Sequence, residues 1–474
     1  MDFEYAIIIL SKSEIDGGMN MKKSDLQPTY ENLLKCYEED SIGRNYELFN
    51  FVRLINSVEG AFSIALNGKW GSGKTFFVKQ TKMLFEAFNE HTQMSNDITE
   101  DDREIIKDLW SRFISRYFRD KFDPQSHVCV YFDAWEHDND SNPLASIIYT
   151  ISETATSAYK FEGERKYLDI ASNIVTLASG RDYKPLLESL KSKRLTDTVK
   201  ANLSVQEEIN EYLVNLLPEH GERLLVFIDE LDRCNPQYAI QLLEKVKHYF
   251  SNDQITFVFS VNLEQLQYTI KQYYGNDFDS YRYLDRFFDL TIQMPKLNLN
   301  EYYTGSDIDT THTVYQIANA VVKHYNLEMR EISRYFATLR VATTRQLHRD
   351  SDRLDRIFCF CFILPIALGL SKYDINMYER FINGEDSAPL VDILNRSEFL
   401  YGVERFIFNR QTEDPNNYDS VNKAERLKEV YETIFSHKKD RSMGISVGGM
   451  RVDDSTTNYL LDCLGMLNVT ATFD

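Results

Sequence analysis

The stretch SIALNGKWGSGKTFFVKQ, Ser63 to Gln80, constrains this chain more than any other. Beta-prone residues run into a glycine turn ending in Gly-Lys-Thr, and an apolar, helix-compatible segment follows at once. Three of only 19 glycines in 474 residues stand around one lysine. Gly68-Lys69-Trp70-Gly71-Ser72-Gly73-Lys74-Thr75 fits G-x-x-x-x-G-K-[ST] between an expected strand and an expected helix. Glycines adopt backbone angles that side chains forbid, so successive N–H groups can turn inward and cradle an anion. The helix start behind them adds partial positive charge. Gly68, Gly71, Ser72, Gly73, Lys74, Thr75 and Phe76 are therefore the expected nucleotide-binding residues. Lys74 would reach the β- and γ-phosphates, and the Thr75 hydroxyl would ligate Mg2+. ATP and Mg2+ are the expected ligands.

Three further apolar runs read as strands: HVCVYFDAW (His127 to Trp135), RLLVFIDELDR (Arg223 to Arg233) and QITFVFSVN (Gln254 to Asn262). Strands without polar alternation, separated by helical patterns, imply an α/β fold with a parallel sheet covered on both faces. A site built on such a loop needs an acid at the end of a neighbouring strand to hold the metal shell. Asp229 is placed for that, and Glu230 beside it can polarise an attacking water. Asn262, with Ser260 as the alternative, is the candidate γ-phosphate sensor; capping the following helix is an equally good reading of Asn262.

Helical patterns dominate from about residue 318. The expected organisation is an N-terminal helical segment over 1–60, a nucleotide-binding core over 61–296 with helical inserts around 90–125 and 143–220, a helical lid over 297–370, and a C-terminal region over 371–474. The net charge of −20 repels phosphate backbones, so nucleic acid is not indicated as a general partner. Lys191 to Arg194 and His437 to Arg441 are the candidate local basic patches. Six scattered cysteines without a CxxC pair read as reduced core thiols. The acidic N-terminus does not read as secretory. The longest apolar run, Ile357 to Leu370, contains a proline and falls short of the roughly 18–20 residues of a membrane span, so a buried helix is expected. These readings point to a cytoplasmic protein without a membrane span.

Four stretches together resemble the KAP P-loop NTPases: ALNGKWGSGKT, YFDAWEHDNDSNPLASII, VFIDELDRCNP and YLDRFFDLTIQMP, with LEMREISRYF extending the likeness into the lid. Asp133 stands where the family usually has Asn, and Glu230 where its second acid is usually Asp. The resemblance implies a three-layer α/β/α sheet of the 5-1-4-3-2 kind with a C-terminal helical subdomain. It implies that Arg44, in the IGRN turn, lies near the nucleotide, and that a lid arginine, Arg330 or Arg334, contacts the γ-phosphate. Arg233 and Arg286 are candidate arginine fingers toward a neighbouring subunit. Trp135 reads as a packing anchor, and Asp133 as a second metal-shell or water-orienting acid. The implied function is an ATPase that drives a conformational or assembly change, as a homo-oligomer or with a protein partner, with antiphage defence as the analogous role of soluble bacterial members. A slowly hydrolysing switch or scaffold is the alternative. A phosphotransferase is disfavoured by the Asp229-Glu230 pair, and no acid-acid-lysine set supports a nuclease.

Overall fold

The computed structural model describes residues 27–93, 99–118, 122–160, 166–179, 205–306, 308, 311–346, 353–409, 420–435 and 443–468. The chain divides into two compact units, Asp25–Gly305 and one that takes in Ser306–Asp474.

In the first unit, α1 (Tyr30–Glu39) and α2 (Asn45–Asn56) precede β1 (Phe62–Asn67), α3 (Lys74–Phe88), α4 (Glu100–Tyr117) and β2 (His127–Asp133). Then come α5 (Pro143–Ala158), α6 (Lys166–Ser179), α7 (Val205–Leu216), β3 (Arg223–Asp229), α8 (Pro236–Tyr249), β4 (Ile255–Val261) and α9 (Leu263–Tyr274). The short α10 (Ser280–Leu284), β5 (Leu290–Gln293) and α11 (Leu299–Gly305) complete the unit. The five strands are parallel in the order β2-β3-β4-β1-β5, the expected 5-1-4-3-2 arrangement read from the other edge.

The burial of each strand follows its position. Central β3 and β4 are buried almost throughout, whereas edge strand β5 alternates. Alternation sorts side chains onto two faces. Val128, Val130 and Phe132 of β2, with Leu224, Val226 and Ile228 of β3, pack with α5, α6, α7 and α8 in one apolar core. The intervening positions, which include Tyr131, Asp133, Asp229 and Ser260, fall on the opposite face, where α3 packs on β2 and β4. Helix α3 is buried along most of its length, because α1, α2 and α4 cover it in turn.

The described residues of the second unit are helical, apart from a hairpin of Ile445–Val447 with Met450–Val452 and the connecting segments. Its helices include α12 (Thr313–Tyr325), α13 (Met329–Gln346), α14 (Leu354–Phe358) and α15 (Leu364–Tyr373). The helix that carries the apolar run Ile357 to Leu370 extends beyond the run at both ends. Helix α14, a π-turn over Cys359–Ile363 and α15 form one continuous helix from Leu354 to Tyr373, and this is the one described helix long and apolar enough to cross a membrane. Pro365 does not end it: the widened turn relieves the clash that proline makes with the carbonyl four residues back. The Pro365 carbonyl accepts the Tyr335 hydroxyl at 2.7 Å, and the helix is mostly buried. All six cysteines are free thiols, five of them buried. The two basic patches and residues 1–26 lie outside the described residues.

Candidate functional site

The loop after β1 starts against the end of β4. The Gly68 N–H donates to the Val261 carbonyl of β4 at 3.0 Å. A side chain at Gly68 would collide with Met294 Cβ and Ser72 Oγ, each 2.7 Å from the added carbon, so the loop can lie this close to the sheet only without one. Gly73 has φ +91° and is the N-cap of α3, a conformation in which a Cβ is strained. No side chain caps this helix. The N–H groups of its first turn, at Lys74, Thr75 and Phe76, therefore have no helical acceptor and are free for an anion. Ser72 Oγ is buried without a hydrogen-bond partner in the same loop. These donors and the lysine fit a polyphosphate.

Lys74 is buried, and its Nζ donates to the carbonyls of Gly68 at 2.7 Å and Lys69 at 3.2 Å. Burial pushes its ammonium below the usual lysine range, opposed by Asp232, Asp229 and Glu230 around it. The Thr75 hydroxyl donates to Asp229 Oδ2 at 2.6 Å. Thus the residue after the loop lysine and the acid ending β3, 154 positions apart, touch. A hydroxyl and a carboxylate oxygen at this spacing are the donor set a hard cation such as Mg2+ uses.

Asp229 is almost wholly buried and holds two more partners. The Tyr131 hydroxyl donates to Oδ2 at 3.0 Å, and the Glu230 N–H donates to Oδ1 at 3.0 Å. Across the sheet, Asp133, Asp229 and Ser260 stand in register at the carboxyl ends of β2, β3 and β4. Asp133 Oδ1 accepts the N–H groups of Trp135 and Glu136, which shapes the turn after β2. Ser260 Oγ is fully buried without a partner. Asn262 caps α9, accepting the Gln265 N–H at 3.4 Å, so the capping reading of that residue has a direct structural counterpart.

Glu230 has φ +60°, a left-handed conformation that costs a non-glycine residue about 1–3 kcal/mol. Burial, then the neighbouring Asp229 carboxylate, push its carboxyl up to about 7, against the pull of Arg233. Arg233, the candidate finger, folds back onto its own chain. Its Nε pairs with Glu230 Oε2 at 2.5 Å, because the single 3-10 turn over Leu231–Arg233 brings position i+3 back over the glutamate. Trp135 is not a packing anchor: it is 53% exposed, with the Arg233 guanidinium carbon 5.6 Å from its ring centre. Arg44 is buried, and its Nη1 donates to the Ser72 carbonyl at 2.8 Å, which places the IGRN turn directly against the loop. Arg286 is exposed in the segment after α10. Arg330 and Arg334 are exposed on α13, in the other unit.

Sequence reasoning did not single out Tyr131, and it took Trp70 only as part of the loop's likeness to the family and Asp232 only as a neighbour of Arg233. Tyr131 had one available signal, a polar-tipped ring two residues before Asp133 and so on the same face of β2. No local pattern announces the 2.5 Å hydrogen bond from Trp70 Nε1 to Asp232 Oδ2, which joins residues 162 apart.

The sequence profile of the KAP family P-loop domain matches residues 44–345 of this chain. An uncharacterized protein of Methanocaldococcus jannaschii is 26% identical over 171 residues, covering 28% of this chain and 88% of that protein. Among solved structures, Drosophila ORC bound to poly(dA/dT) DNA and Cdc6 gives a TM-score of 0.30 at 8% identity, covering 98% of this chain; the chain spans 65% of that chain's length.

Proposed function

Because the chain belongs to the KAP family of P-loop NTPase domains, we propose that it is a Mg2+-dependent ATPase whose hydrolysis drives a conformational or assembly change. One observation carries the reading: Thr75 Oγ1 meets Asp229 Oδ2 at 2.6 Å, with Glu230 next in sequence and Lys74 one residue before. Mg2+ bound with a nucleotide triphosphate supplies charge neutralisation at the transferred phosphoryl group.

In this proposal the residues divide the work. The first-turn N–H groups of α3, with Gly71, Ser72 and Gly73, hold the phosphates, and Lys74 leaves the Gly68 and Lys69 carbonyls to meet them. Thr75 and Asp229 hold the metal shell, with the Tyr131 hydroxyl fixing the Asp229 carboxylate through Oδ2. Glu230 accepts the proton of the attacking water. Its burial raises its basicity toward neutral pH, which suits a general base. Asn262 or Ser260, at the end of β4, is the candidate γ-phosphate contact of this unit, and Arg330 or Arg334 is the candidate lid arginine. Arg44 braces the loop through Ser72.

The test is calorimetric titration of the folded protein with Mg2+-ATP, paired with a phosphate-release assay. Wild type is expected to bind and to release phosphate, Lys74→Ala to do neither, and Glu230→Gln to bind only. Binding that survives Lys74→Ala unchanged would refute the placement of the site. The proposed role in phage defence is tested by plating phage on a natural host carrying the wild-type or the Lys74→Ala chain. Equal plaque counts would remove that role and leave the ATPase reading standing.

A further inference from the structure

Three separate segments converge on one charged pair at the rim of the site. Trp70 comes from the P-loop, Trp135 from the turn after β2, and Arg233 from the turn after β3. The Arg233 guanidinium carbon is 5.9 Å from the Trp70 ring centre and 5.6 Å from that of Trp135, both within cation–π range. Its Nε lies 2.5 Å from Glu230 Oε2. Trp70 and Trp135 are 46% and 53% exposed, while the third tryptophan of the chain, Trp110, is fully buried. Two large indoles left at the surface, both beside one guanidinium, serve the arginine rather than the core. Trp70 is itself anchored, since its Nε1 donates to the buried Asp232 at 2.5 Å. The backbone sets the pair as well: the Arg233 N–H donates to the Glu230 carbonyl at 3.1 Å, closing the turn that starts from the left-handed Glu230.

We infer that Arg233 is the positioning residue for Glu230: braced by Trp70 and Trp135, it fixes the carboxylate that activates water and ties its placement to the P-loop, of which Trp70 is part. The inference rests on the hydrolytic reading above. The guanidinium engages Oε2, so Oε1 is the oxygen that accepts from a water. A planar guanidinium can stack on an indole and donate in its own plane at the same time; an ammonium can donate but not stack in that way. Arg233 acts here within its own chain and through Glu230, which separates this role from that of an arginine offered to another subunit.

The experiment is a double-mutant cycle on the full chain, read by steady-state phosphate release and by tryptophan emission of the nucleotide-free protein. Arg233→Ala is expected to lower kcat about 10-fold or more with KM within about 2-fold of wild type, as for a misplaced catalytic group. Arg233→Lys is expected to recover part of kcat. Glu230→Gln with Arg233→Ala is expected to be no slower than Glu230→Gln alone, because the arginine acts only through the glutamate. Each single variant is expected to change indole emission and its quenching by acrylamide, and the double variant no more than Arg233→Ala. Full kcat in Arg233→Ala, or a further full loss in the double variant, would overturn the inference. So would recovery of activity on mixing Arg233→Ala with Lys74→Ala subunits, which is the signature of a finger in trans. If wild type and Glu230→Gln release phosphate equally, the hydrolytic reading fails; emission that ignores Glu230→Gln in the nucleotide-free protein sinks the coupled unit on its own.

Discussion

Replacing Glu230 with glutamine should stabilise the protein above neutral pH while removing its hydrolysis. The reason lies in where the carboxyl sits. Its ordinary value is 4.5, and burial with the adjacent Asp229 moves it up to about 7. Below pH 4.5 the group is protonated in the folded and the unfolded chain, and burial carries no ionic cost. As pH rises through 4.5, the unfolded chain ionises freely while the folded chain retains its proton. Stability therefore falls between pH 4.5 and about 7 and then levels off. The gap is worth about 3 kcal/mol as an upper bound. The Glu230 side chain is 19% exposed at a solvated rim, and screening there reduces the effect to about 1–2 kcal/mol. Glutamine is uncharged and avoids the loss, although it gives up the Arg233 ion pair. Urea unfolding without nucleotide, at pH 5 and pH 8, measures the difference. Trp70, Trp110 and Trp135 all lie in the unit Asp25–Gly305, so indole emission reports on that unit alone. Glu230→Gln should match wild type near pH 5 and exceed it at pH 8. A difference that does not depend on pH, or a glutamine variant less stable at pH 8, would refute the reasoning.

Lys74→Ala should abolish nucleotide binding, and retained micromolar affinity in calorimetry on the folded variant would contradict this. Asp229→Asn should weaken Mg2+-dependent binding while leaving metal-free nucleotide binding nearly intact, checked by titrating ATP with and without EDTA. Tyr131→Phe removes a hydrogen bond to a charged acceptor, worth about 1.5–3 kcal/mol; it should raise the Mg2+ concentration needed for half-maximal phosphate release, and an unchanged Mg2+ dependence would count against Tyr131 as an aid to Asp229. The pH profile of kcat/KM should show an acid limb with its midpoint near 7, rising as Glu230 ionises, and a flat profile from pH 5.5 to 8 would exclude Glu230 as the base.

The local physics of the site was readable in the sequence because it is written in short stretches. A glycine loop between an apolar strand and a helix has few other uses, and an acid pair closing an apolar run marks the end of a buried parallel strand. The contact between Thr75 and Asp229 follows from those two motifs once the sheet order is known. The contacts of Trp70, Trp135 and Tyr131 were not readable in this way. Trp135 and Tyr131 depend on the register of β2 beside β3, which sets Asp133 opposite Asp229 and Tyr131 within reach of it, and Trp70 depends on the approach of the loop after β1 to the turn after β3. Trp135 illustrates the limit: an aromatic residue after a buried strand usually packs inward, but here the turn held by Asp133 Oδ1 leaves it at the surface beside Arg233. The Ile357 to Leu370 run shows a related effect. Proline normally shortens a helix, but here a π-turn over Cys359–Ile363 precedes Pro365 and the helix runs on to Tyr373.

The most direct test of the account is the release of phosphate from Mg2+-ATP by purified wild type and Glu230→Gln, each first shown to bind the nucleotide. Water activation by Glu230 predicts that the glutamine variant binds as wild type does and hydrolyses more slowly by about 10²-fold or more. Equal rates in the two proteins would contradict it and move the search for the base to Asp133.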